Sequence, residues 1–360
     1  MQPNLPFSRL LCVLVLICFC AGASARAETS APSPALGEGL SLTSGFEEPR
    51  VRTAATSSEE DEALLRAVRA YREAAAGDDF RALEAFLANH AQSGWRVAML
   101  TNLGLPYYHY GYFSKTIDAL EEAWKEGRAV TEPRAKALVD RAVGELLRMH
   151  ARLGHAERLA ALFDEVGDRG LTGPATEARD GAREGLWSMR NEPGVAYLCG
   201  PMALKNLLLA LSTPADQLNF RDDYRSGPQG VTLAEVAHLA DRAKFSYRLV
   251  HRDPGGPIPV PSIVHWKVSH FAAIVGERGG RFEIEDPTFG TTSWVTRAAL
   301  DIEASGYFLV PGDKPGPAWR EVSADEASSV RGMGKAGTND PKATTPQDDR
   351  PNRVATRRAA

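Results

Sequence analysis

The stretch "AYLCGPMALKNLLLAL", Ala196 to Leu211, sets a cysteine directly before Gly-Pro and an apolar run, which makes Cys199 the first candidate for chemistry. Pro201 suits the first helical position, where its missing N–H leaves nothing unpaired. Cys199 therefore falls at or just before a helix N-terminus, where free backbone N–H groups and the positive end of the helix dipole favour a thiolate. The helix behind it has only Lys205 and Asn206 as polar residues over Pro201 to Ala210. It has to be buried nearly all round, and it would aim the thiol rigidly.

A nucleophilic thiol needs a base, and the base needs an orienting acceptor. The run "VSHFAAIVGERGGRFEIEDPTFG" supplies both. His270 opens one strand, "ERGGR" makes a turn and Asp286 closes the returning strand, so an antiparallel hairpin predicts that the two ends meet. His265 lies before the polar break at Lys267 to Ser269 and lacks this pairing. Each residue also has a plainer reading: a buried cysteine packing as a small hydrophobe, a strand-end histidine, and an aspartate capping the turn before Pro287.

The chain that must position these residues has 360 residues, 43% apolar and 24% charged, as expected of a soluble globular protein with more than one domain. Its net charge of −4 is mixed along most of the sequence, which suggests no nucleic-acid partner. Residues 1–27 read as a signal peptide: Arg9, an apolar run, and small residues before a cut after Ala25 or Ala27. The predicted location is exported, periplasmic or secreted, with no stable membrane span after signal removal. Cleavage would also remove Cys12, Cys18 and Cys20, leaving Cys199 without an intramolecular disulfide partner.

Residues 28–57 are rich in Ser, Thr, Pro, Gly and Ala and predict a flexible leader. From 58 to 170 apolar residues recur at helical spacing, with breaks at Gly77, Gly111 and Gly154. The first two breaks are 34 residues apart, the tetratricopeptide period, and "WRVAMLTNLGLPYYHYGYFSKTIDALEEAW" resembles one such repeat. Three stacked hairpins are expected, with a protein partner on their concave face as a possible use and a generic helical bundle as the plainer alternative. Tyr107, Tyr108, Tyr110 and Tyr112 read as interhelix packing. A Gly- and Pro-punctuated boundary follows, and 186–311 reads as two helices and then strands, an α+β domain. Residues 312–360 lack Leu, Ile, Phe and Tyr and predict a disordered tail.

The 186–311 domain resembles the papain-like cysteine peptidases of family C39. "CGPMALKNLLLA" resembles that family's nucleophile helix, "VPSIVHWKVSHFAAIVG" its histidine strand pair, and "FEIEDPTFG" its acidic motif. The resemblance implies Cys199 as nucleophile, His270 as general base and acid, and Asp286 as orienting residue, acting on a peptide or protein substrate with no cofactor and no metal. The family's oxyanion glutamine, six residues before the cysteine, is replaced by Pro193, with Asn191 as the nearest candidate substitute and Gln217 and Gln229 more remote. Two other functions fit the same residues: a transglutaminase-like acyl transferase, and a non-catalytic exported scaffold carrying a degenerate peptidase domain.

Overall fold

The computed structural model describes residues 46–221, 223–312 and 319–335. The expected signal peptide and the start of the leader lie outside them. All described residues fall in a compact unit that begins at Leu40. No helix among them is long and apolar enough to cross a membrane.

An all-helical region runs through α1 (Ser58–Glu73), α2 (Arg81–Asn89), α3 (Arg96–His109), α4 (Phe113–Gly127), α5 (Pro133–Arg152), α6 (Ala156–Val166) and α7 (Pro174–Asn191). A capping box opens it: the Ser57 hydroxyl accepts the Glu60 N–H, and the Glu60 carboxylate accepts the Ser57 N–H. Gly111 and Gly154 have φ of 82° and 73° in the turns before α4 and α6, a backbone that glycine adopts without strain. The tyrosines pack as expected, Tyr107 and Tyr112 meeting the Phe80 ring edge-on.

Two boundaries differ from the expectation. The end of the predicted flexible leader is bound to the helices, because Phe46 stacks on Tyr71 at 5.9 Å and Glu48 pairs with Arg141 at 3.0 Å. The stretch read as an interdomain break from 170 to 186 holds most of α7. Its buried stripe begins with Ala175, Ala178, Ala182 and Gly185 and reaches Leu186 and Met189 only at its end, so its first part is too weakly apolar to stand out as a helical period. Small side chains are what the contact needs, since a side chain at Gly144 of α5 would lie 2.7 Å from the Ala175 Cα.

The rest of the fold is α+β. A short helix α8 (Pro193–Ala196) leads into α9 (Cys199–Ala210), a 3-10 turn (Ala215–Arg221), strand β1 (Val231–Thr232) and α10 (Leu233–Arg242). Then come β2 (Tyr247–His251), β3 (Ser262–Trp266), β4 (His270–Arg278), β5 (Arg281–Asp286), β6 (Thr291–Thr296), α11 (Arg297–Glu303) and β7 (Ala304–Pro311). With β8 (Arg320–Glu321) they form an antiparallel sheet in the order β6-β5-β4-β3-β7-β2-β8.

Both sheet faces are covered, which explains why "SIVHW" and "HFAAI" read as unbroken apolar runs rather than alternating ones. Ile263, Phe271, Ala273 and Leu309 pack with Leu204 and Leu207 of α9 and Val236 of α10. Val264, Ala272, Ile274 and Phe308 point to the other face and join the core of the helical region.

The predicted disordered tail also needs correction. After β8 the chain forms α12 (Ala324–Ser329) and β9 (Arg331–Gly332), which pairs antiparallel with β1. Val322, Ala327 and Val330 are buried against the α9–α10 core. Three small apolar residues cannot build a core, but they can extend one that already exists.

Candidate active site

Cys199 is the first residue of α9, two residues ahead of the start that Pro201 suggested. The Met202 N–H makes the first helical bond, to Leu198. Gly200 lets this end press against β1 and α10: a side chain there would sit 2.6 Å from Val236 and 2.9 Å from Val231. The expected all-round burial holds only for the first part of α9, since Leu209 is half exposed.

His270 opens β4 opposite Trp266, after a three-residue turn in which Ser269 takes the left-handed conformation (φ 55°). The β4–β5 hairpin turns at Gly279 and Gly280, both with positive φ, as a two-residue primed turn requires. That hairpin returns Asp286 to His270: Nε2 lies 2.8 and 2.9 Å from the two carboxylate oxygens. Asp286 Oδ1 also accepts the N–H groups of Thr288 and Phe289, so the same carboxylate caps the turn and bonds the imidazole.

Cys199 and His270 are fully buried and Asp286 nearly so. Burial alone would strip the charge from His270. The Asp286 carboxylate outweighs it, with a further contribution from Cys199, and the imidazole pKa rises to about 10. Cys199 acts on the ring both as a hydrogen-bonding partner and as a charge, while Nδ1 makes no hydrogen bond of ordinary geometry among the described residues. With Nε2 committed to Asp286, Nδ1 is the nitrogen left for the thiol.

His265 is excluded from this pair. Its Nδ1 lies 2.8 Å from the Ser305 hydroxyl and its Nε2 2.7 Å from the Arg331 carbonyl. Burial depresses its pKa to about 4, which leaves a neutral ring whose Nε2–H donates to Arg331.

The helical region reaches the site through rings. Phe289, in the turn after Asp286, meets His270 at 5.7 Å, Phe113 at 5.0 Å and Tyr108 at 5.3 Å, and Phe113 meets Trp266 edge-on at 5.4 Å. Nothing in the sequence pattern marks these rings as supports for a histidine some 150 residues away.

The three candidates for the oxyanion glutamine lie on different elements. The Asn191 amide donates to the Trp187 carbonyl of its own helix, and Gln229 is exposed on a turn. Gln217 lies in the 3-10 turn that follows α9. Tyr224, which the sequence did not suggest, is a further candidate. Tyr224 packs on the core that holds Cys199, and its buried hydroxyl has no partner among the described residues. Burial first, then the charges of Glu235 and Cys199, push its pKa up.

Comparison with known proteins points to one family. A curated relative, the probable microcin-H47 secretion/processing ATP-binding protein MchF of Escherichia coli, is 24% identical over 121 residues. That alignment takes in 31% of this chain, and the chain spans only 17% of the relative's length. A solved structure, a double glycine motif protease from an AMS/PCAT transporter in complex with the leader peptide, is 19% identical with a TM-score of 0.26. It covers 34% of this chain and 84% of its own. Residues 196–315 match the Peptidase C39 family, and the matched segment holds Cys199, His270 and Asp286 together.

Proposed function

We propose that this protein is a cysteine peptidase in which Cys199, His270 and Asp286 hydrolyse a peptide bond. The observation that carries the reading is the imidazole held by Asp286 through Nε2, with Nδ1 left for a thiol at the N-terminus of α9. The His270 imidazolium is the counter-charge of the attacking thiolate. Sγ adds to the substrate carbonyl carbon, and the oxyanion takes the Cys199 N–H as one donor. The Tyr224 hydroxyl is the second donor, in place of the glutamine that Pro193 replaces. His270 then protonates the leaving amine, and water, deprotonated by the same imidazole, hydrolyses the thioester.

The peptide substrate is part of the proposal, as is export through residues 1–27, which N-terminal sequencing of the mature protein tests. The chemistry is tested by exposing the folded protein to a small electrophile and mapping the modified peptide. Labelling at Cys199 that slows sharply in His270→Ala supports the reading. A Cys199 labelling rate indifferent to His270 overturns it and leaves the thiol as packing.

A further inference from the structure

The chain's own segment Val330–Lys335 lies directly against Cys199 and His270. Its backbone is tied along its length. The Leu233 N–H donates to the Val330 carbonyl, β9 pairs Arg331 and Gly332 with Thr232 and Val231, and neutral His265 donates to the Arg331 carbonyl. The Met333 N–H donates to Ser269, the residue before His270, and the Lys335 N–H donates to Arg152 at the end of α5. Tyr197 forms a bridge with Lys335.

The two glycines lie where the chemistry is. A side chain on Gly332 would come within 2.9 Å of the Cys199 sulfur, and one on Gly334 within 2.1 Å of His270 Nδ1 and 2.8 Å of the Thr288 hydroxyl. No residue but glycine passes at that distance. The carbonyl of Gly334 accepts the Cys199 N–H at 3.3 Å. That N–H is the donor a reacting carbonyl oxygen has to reach in a thiol peptidase whose nucleophile opens a helix.

We infer that this segment is bound as a substrate in cis and that the protein cuts itself between Gly334 and Lys335. The inference rests on the peptidase reading above. In the step, Cys199 Sγ bonds to the Gly334 carbonyl carbon, the bond to the Lys335 nitrogen breaks, and that nitrogen takes its proton from His270. Water then cleaves the thioester, giving a Gly334 carboxylate and restoring the thiol. The released piece is Lys335–Ala360, which carries six basic and three acidic residues. Cleavage also cuts the strap between its hold on the sheet and its hold on Arg152, so the site can open to other peptides.

The test follows the intact mass of the full-length protein with time at several dilutions. The expected result is conversion to a chain ending at Gly334, at a rate independent of protein concentration, with Cys199→Ala staying whole. Conversion that speeds up with concentration means cutting between molecules and overturns the cis claim. Wild type that stays whole overturns the inference outright. The peptidase reading is then judged separately on full-length Gly334→Val, whose added side chain cannot seat beside His270. If that variant cuts a synthetic peptide spanning Ser323–Asp340, the enzyme reading stands and the segment is only a plug. If neither protein cuts, both readings fall.

Discussion

On one face of the sheet, Phe271 and Ala273 meet the helix that carries Cys199; on the other, Ala272 and Ile274, their neighbours along the same strand, belong to the core of the helical region. One strand thus serves two cores by the alternation of its side chains. The nucleophile face lies almost wholly within the matched segment 196–315. The opposite face is closed by rings from α3 and α4 and by a polar tie, the buried Glu303 carboxylate accepting the Ser114 N–H and hydroxyl at 2.8 and 2.9 Å. The helical region is therefore the second cover of the sheet, and through Phe289 it also steadies the imidazole. A C39-like domain without it would leave Trp266, Phe289 and Ile284 open to water.

If the faces divide the labour in this way, changes on the nucleophile face should destroy activity while leaving the fold, and changes on the helical face should do the reverse. The largest effect expected is from Asp286→Asn, which keeps an oxygen for the Thr288 and Phe289 amides but loses the charge that holds His270. Turnover should fall on the order of 10³ to 10⁴, as orienting carboxylates in triads do; a loss below tenfold would remove Asp286 from the mechanism.

The same pair predicts a pH dependence of stability. His270 has its pKa raised from 6.5 to about 10 in the fold. The stabilisation is complete below about pH 6.5 and is lost as pH rises through about 10. Urea midpoints from pH 6 to 10 should therefore decline in wild type, and decline less in Asp286→Asn. Parallel curves would mean that the charge pair is not formed.

Tyr224→Phe should lower kcat by about 10² to 10³ with little change in KM, the signature of a lost oxyanion donor. An unchanged kcat returns the second donor to the unknown. On the helical face, Phe113→Ala removes a ring from between Trp266 and Phe289 and should cost about 3 to 5 kcal/mol, read from denaturant melts as one shared transition. Two separate transitions would mean that the helices and the sheet fold as independent domains. The smallest effect is expected from Ser114→Ala, about 1 to 3 kcal/mol, because Glu303 keeps a backbone donor but loses the hydroxyl. Burial already raises the Glu303 pKa, so the loss should be smaller at acidic pH, where the carboxyl is neutral.

The candidate site was legible to the extent that it is built from side chains with a type. A cysteine before Gly-Pro, a histidine opening one hairpin strand and an aspartate closing the other can be picked out by residue type and spacing. The hairpin needed no more than Gly279-Gly280 between two strand-like runs. The helices of 58–170 were legible in the same way, from period and glycine breaks. The start of α7 was missed because its first buried positions are alanine and glycine, and the burial of Phe46 because an isolated aromatic in a polar leader has no period.

The amino-acid sequence by itself determined the local elements and the order of thiol, imidazole and carboxylate, because these depend on periodicity and on residues a few positions apart. Only the tertiary structure decided what covers the second face of the sheet, that the Tyr224 hydroxyl is buried, and that Gly332 and Gly334 return to lie against Cys199 and His270. Those outcomes depend on backbone hydrogen bonds and close approaches between distant segments. A backbone donor or acceptor is the same at every residue, and a glycine's small size has meaning only once its neighbour is known.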